Sequence, residues 1–182
     1  MKVCIDPGHG MSNRKMGVYD PGAGHLENGT KFEEAAIALR YGLSLKDVLR
    51  AQGTEVFMTR DDAQDHAPLG SRAGNAKAAG CNRYVSLHLN DAEDDKAHGL
   101  EVLYGKAEHK ALAEKLQAAL VEVTGLRDRG AKPRPELAVL KFKGPAVLVE
   151  LGFIANDGDR EALLNPAMRD SVCRTIADIM TV

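Results

Sequence analysis

The sequence contains no tryptophan and only four tyrosines and four phenylalanines. So thin an aromatic set argues against a surface built to stack bases or rings. Neither sign of charge dominates: 24 Lys and Arg stand against 26 Asp and Glu, for a net charge of −2. No general attraction to nucleic acid or to an anionic membrane follows from that balance. The basic cluster formed by Arg129 with Lys132, Pro133 and Arg134 is modest. The three cysteines, Cys4, Cys81 and Cys173, include no close pair, which excludes a disulfide scaffold and reads as buried thiols of a reduced chain. No apolar run approaches a membrane span. Met1-Lys2-Val3-Cys4-Ile5 leads into a strand with no apolar leader before it, so the expectation is a chain made in the cytoplasm without an export signal.

What remains is ordinary for one globular domain: 182 residues, 44% hydrophobic and 27% charged. The stretch CIDPGHG, residues 4–10, places a histidine between two glycines where the first strand ends. Gly and Pro force a turn there. A histidine at such a corner suits a metal ligand or a base, and equally a plain surface turn. Residues 11–33 are rich in Gly, Asn and Asp and read as one long loop, of a length that is usually functional or disordered in a compact domain.

Beyond it the periodicity alternates. Ile37, Tyr41, Leu45, Val48 and Leu49 share one helical face, predicting a helix over 34–52 that Gly53 ends. Strands are expected at 54–59, 83–89, 100–104 and 146–151, with a shorter one at 138–142. Helices are expected at 68–79, around Leu112, Leu116, Leu120 and Val123, and at the close of the chain through Met168, Val172, Ile176 and Ile179. This alternation predicts a single-domain α/β fold, a mostly parallel twisted sheet of about six strands with helices on both faces.

In open α/β sheets ligands gather outside the carboxyl ends of the strands. There this chain puts His9, His88 followed by Asn90, and Glu150. A carboxylate inside AVLVEL is costly unless it is paired or meets a cation; its plain alternative is a structural partner for an arginine such as Arg72. Each histidine has the alternative of a turn or core residue. Three such groups at one edge point instead to a shared site. Two imidazoles without redox demands suit zinc, and a third ligand is offered at the start of the first long helix. Glu34 falls on the buried stripe and is preferred, with Glu33 as the alternative. Asn90 is placed behind His88 as an orienting hydrogen-bonder, or else as a strand-end cap. His25, in the long loop, stands near enough to touch a substrate, and His109 reads as solvated.

IDPGHG, the acidic helix start at Glu34, SLHLN at 86–90 and VELGFIAN at 149–156 together resemble the zinc-dependent N-acetylmuramoyl-L-alanine amidases of the amidase-3 type. VFMTRDD at 56–62 and the RAGNAKAAG helix extend the resemblance across nearly the whole chain. It implies zinc ligands His9, Glu34 and His88 and a catalytic Glu150. The reaction it implies is hydrolysis of the amide between N-acetylmuramic acid and L-alanine of the peptidoglycan stem peptide. The helix start departs from the family's usual acidic-basic-acidic trio, reading Glu33-Glu34-Ala35. A bare catalytic domain without a leader resembles a phage endolysin, held in the host cytoplasm until release to the cell wall. It would act as a monomer on peptidoglycan, with no nucleic-acid partner and no membrane insertion. A zinc peptidase acting on the stem peptide and a non-catalytic peptidoglycan-binding module are the rival readings.

Overall fold

A computed structural model describes residues 1–94 and 96–182. The first strand, β1 (Lys2–Pro7), runs in the middle of the sheet, and the chain then makes two small hairpins before its first helix. These are β2 (Gly10–Met11) with β3 (Tyr19–Asp20), and β4 (Gly24–Glu27) with β5 (Thr30–Glu33). The loop expected at 11–33 is therefore largely built. Short strands rich in Gly and polar residues carry too little apolar alternation to be seen in advance.

Then follow α1 (Glu34–Ala51), β6 (Glu55–Met58), α2 (Arg72–Ala78), β7 (Arg83–Asn90) and β8 (Leu100–Tyr104). The remainder is α3 (Lys110–Thr124), β9 (Asp128–Pro133), β10 (Ala146–Phe153), α4 (Asp157–Leu164) and α5 (Pro166–Met180). The strand expected at 138–142 is a 3-10 turn over Ala138–Lys141. Its Val139 and Leu140 are buried as a strand's would be, which is why composition misled. Besides the hairpins, two further elements were not foreseen: β9, whose sequence DRGAKP holds Gly and Pro and sits at a sheet edge where both are tolerated, and α4, started by the Asn156 cap.

Six strands form one sheet in the order β6-β1-β7-β10-β8-β9, with only the β10–β8 pair antiparallel. Alternation sorts the side chains to two faces. Val3, Ile5, Val85, Leu87, Val147 and Val149 join a core with Tyr41, Leu45 and Leu49 of α1, Leu116 and Leu120 of α3, and Val172 and Ile176 of α5. Cys4, Tyr84, Ala146 and Leu148 face the other way, onto Ala76 of α2 and the 138–141 turn. Burial of that first face at ~25 cal/mol per Å² of apolar surface is the main stabilising contribution. Among the described residues, no helix is long and apolar enough to cross a membrane.

Candidate metal centre

The turn after β1 is held from below. Asp6 is fully buried and accepts hydrogen bonds from Thr59 Oγ1 (2.6 Å), Ser86 Oγ (2.7 Å) and Arg72 Nη1 (2.9 Å). Arg72 also donates to the carbonyls of Pro7 (2.9 Å) and His9 (2.6 Å), while Arg60 donates to those of Pro7 (3.0 Å), Gly8 (2.8 Å) and Ala35 (2.7 Å). Two buried guanidiniums thus fix three successive carbonyls. That clamp explains how His9 is kept at φ 61°, a left-handed conformation costing on the order of 1–3 kcal/mol. It also answers for Arg72: its carboxylate partner is Asp6, not Glu150.

The turn delivers His9 to the carboxyl end of the sheet, beside His88 from the end of β7. Their rings meet edge to face, centroids 5.0 Å apart. Glu34, the first residue of α1, lies between them: His9 Nε2 is 3.0 Å from Oε2 and His88 Nδ1 is 2.8 Å from Oε1. The backbone N–H groups of Ala23 (2.8 Å) and Leu89 (3.0 Å) donate to the same carboxylate. Burial opposes its charge, but the two histidines and these contacts hold the Glu34 carboxyl far below the usual range. Burial likewise works against protonating His88, and Glu34 outweighs it, raising the pKa. Glu33 is turned away and pairs with Lys31 Nζ at 2.6 Å. Glycine makes the close approach possible, since a Cβ on Gly8 would lie 2.3 Å from the His88 ring and one on Gly22 would lie 2.5 Å from Glu34 Oε2.

Asp20, which the sequence reading passed over, completes this arrangement. Its Oδ2 is 3.0 Å from His9 Nδ1 and accepts from Asn13 Nδ2 at 2.6 Å, and its Oδ1 accepts from the Gly22 N–H at 3.1 Å. Despite burial, those partners hold its pKa down to about 2. A carboxylate on the far ring nitrogen orients the His9 imidazole and, with a cation bound, would keep the proton on Nδ1 so that the Nε2 lone pair faces the ion. The signal was there in YDPGAG, an Asx-type turn, but the partner stands eleven residues away. Asp20→Ala is expected to weaken zinc binding by about 10- to 100-fold, read by competition with a chromophoric chelator. Unchanged affinity would reduce Asp20 to a loop residue.

Glu150, on β10, is the register neighbour of His88 on β7 and lines the same cleft of about 420 Å³, together with His9, Glu34 and Asp20. Its Oε2 is buried and has no hydrogen-bond partner among the described residues. Burial pushes its pKa up to about 7, with His88 drawing it down and Glu34 and Glu101 pushing it further up. Asn90 does not hold His88 as expected: its Nδ2 donates to Glu101 Oε1 at 3.0 Å, because Glu101 stands across β10 within its reach and His88 Nδ1 is already taken by Glu34. Arg129 and Lys132 complete that Glu101 cluster. His25 sits on β4, paired with Phe32, and His109 is buried rather than solvated.

His9, Glu34 and His88 each offer one ligand atom, and these atoms all lie within 4.8 Å of one another. Two imidazole nitrogens and a carboxylate oxygen, with a polar cleft on the open side, fit a cation that keeps a coordination position for a small molecule. The unpartnered Glu150 oxygen beside them fits a group that waits for such a molecule's proton. The donor set therefore suits zinc.

Comparison with known proteins agrees with the fold. A family model described as N-acetylmuramoyl-L-alanine amidase matches residues 3–181. The probable cell wall amidase LytH of Staphylococcus saprophyticus is 32% identical over 97% of this chain and 56% of its own length. The N-acetylmuramoyl-L-alanine amidase LytC of Bacillus subtilis is 29% identical over 97% of this chain and 34% of its own. The chain thus spans about half or less of these relatives. Among solved structures, the catalytic domain of CwlV from Bacillus (Paenibacillus) polymyxa var. colistinus superposes with a TM-score of 0.86 at 28% identity, covering 99% of this chain and 96% of that one. The catalytic domain of the CD27L endolysin shares the fold at a TM-score of 0.79 and 23% identity, over 100% of this chain and 97% of that one. By the match along its whole length, this chain belongs to the amidase-3 family of N-acetylmuramoyl-L-alanine amidases.

Proposed function

We propose that this chain is a zinc-dependent peptidoglycan hydrolase that cleaves the amide between N-acetylmuramic acid and the L-alanine of the stem peptide. One observation carries the reading: a carboxylate with a buried, unpaired oxygen, Glu150, stands beside a His9–Glu34–His88 cluster in one cleft. A binding module would have no use for that costly group.

The chemistry that zinc supplies when bound is Lewis acidity, which makes water nucleophilic near neutral pH and polarises the scissile carbonyl. The chain's own residues do the rest. His9, Glu34 and His88 hold the ion, and Asp20 orients His9. Glu150 takes the proton of the attacking water and then delivers it to the departing alanyl nitrogen. All of these side chains come from one chain, in keeping with action as a monomer. The fold serves bacterial wall amidases and an endolysin alike, and the endolysin role is carried here as the finer form of the proposal. Fractionation of producing cells decides it: an endolysin stays in the host cytoplasm until lysis, whereas a remodelling enzyme works in the growing wall.

Purified protein is expected to bind about one zinc per chain and to release L-alanine amino termini from sacculi. Chelation should abolish that release, and zinc add-back should restore it. New termini at a residue further along the stem would make the protein a peptidase instead. Metal binding without cleavage would make it a binding module.

A further inference from the structure

His9 and His88 line a second cavity besides the open cleft, more enclosed and about 180 Å³ in volume. Leu69, Leu137, Val139 and Leu148 supply its apolar wall. It is smaller than the roughly 300 Å³ at which pockets for whole ligands begin, so it fits one group of a larger molecule. Asp6 and Arg72, which also line it, pair with each other, so a sugar would lose hydrogen bonds against the apolar side. Asn13 also lines the cavity; its Nδ2 is committed to Asp20, and its Oδ1 is buried with no hydrogen-bond partner among the described residues. An amide N–H is the group such an acceptor lacks. Leu148 stands two residues before Glu150 on β10, so both side chains leave the same face of the sheet.

We propose that this cavity is the subsite for the first residue of the stem peptide, taking its short aliphatic side chain, and that Leu69, Leu137 and Val139 set the size it accepts. The inference rests on the amidase reading. Glu150 must reach the leaving nitrogen, and the residue bearing that nitrogen then lies beside Leu148. The open cleft, with Asp20 and Asp91 on its walls and Arg14 shared between it and the cavity, is left for the hydroxyl-rich sugar.

The test uses disaccharide-tetrapeptides whose first residue is glycine, L-alanine or L-leucine, with kcat/KM measured for each. Ratios between substrates are insensitive to partial loss of folded enzyme. The parent protein is expected to favour alanyl over leucyl substrate. Leu137→Ala should raise the leucyl-to-alanyl ratio about tenfold or more, and Ala138→Phe should shift preference from alanyl to glycyl by a similar factor, with zinc content unchanged in both. Ratios unmoved by either variant, or a parent indifferent to the first residue, overturn the subsite and leave the amidase reading standing. Failure of the parent to cleave any of the three overturns both.

Discussion

Replacing Glu150 by glutamine is expected to lower amide hydrolysis at least about a hundredfold while leaving zinc content unchanged, because a positioned base is worth roughly 10²–10⁴ in rate. Glutamine keeps the shape of the side chain but cannot accept the water's proton. The three side chains proposed to hold the metal are other residues, so the metal is expected to stay. The parent protein carries a linked pH signature. The proposed base works only when ionised, so activity is expected above the Glu150 pKa and should be lost as pH falls through it. Burial places that pKa at about 7, and a cation nearby lowers it. The acid limb of kcat/KM therefore lies at or below about pH 7.

Stability should move the other way. In the metal-free fold Glu150 keeps a proton between its ordinary 4.5 and about 7, where the unfolded chain has already released it. Raising pH through that window therefore costs stability, and Glu150→Gln removes the cost. The metal-free variant should melt no lower than the parent above pH 7. Near-normal turnover in this variant would take Glu150 out of the mechanism, and a lower Tm would contradict its burial as an unpaired acid.

The second large effect lies under the site. Arg72→Met should destabilise the fold by about 3–5 kcal/mol, since it leaves Asp6 buried without its cation and frees the carbonyls of Pro7 and His9. For a chain of this size that lowers Tm by roughly 6–20 °C. Burial pushes the Asp6 pKa up, but Arg72, helped by Thr59 and Ser86, overcomes it and holds the carboxyl below its ordinary 3.8. The stability contributed by Asp6 is thus complete above that value and disappears as pH falls through the lower folded value. Without Arg72, burial is opposed only by the two hydroxyls and the more distant charge of His88, and the acid dependence should flatten or reverse. Thermal melts of both proteins from pH 3 to 7 check this, and parallel acid limbs would show that Arg72 does not hold the Asp6 charge.

Much of this was readable because the signals are local. Period-two and period-3.6 apolar patterns marked five strands of the sheet and the helices that cover its larger face, and the chain leaving a strand's carboxyl end marked His9, His88 and Glu150. Glu34 was separable from Glu33 because its spacing from Ile37 and Tyr41 puts it on the buried stripe of α1, whereas Glu33 ends the strand before it. Edge strand β9 and the two small hairpins were not readable, since their stability comes from neighbours rather than from their own alternation.

By itself, then, the sequence determined the sheet, the helix faces and the ends at which polar groups gather, all of which follow from backbone periodicity. Only the tertiary structure decided which polar group meets which. Arg72 takes Asp6, Asn90 takes Glu101, Asp20 reaches back to His9, and Glu150 is left with an unpaired oxygen. Hydrogen bonds and ion pairs are satisfied by proximity across strands and turns far apart in the chain, and proximity of that kind leaves no period to read.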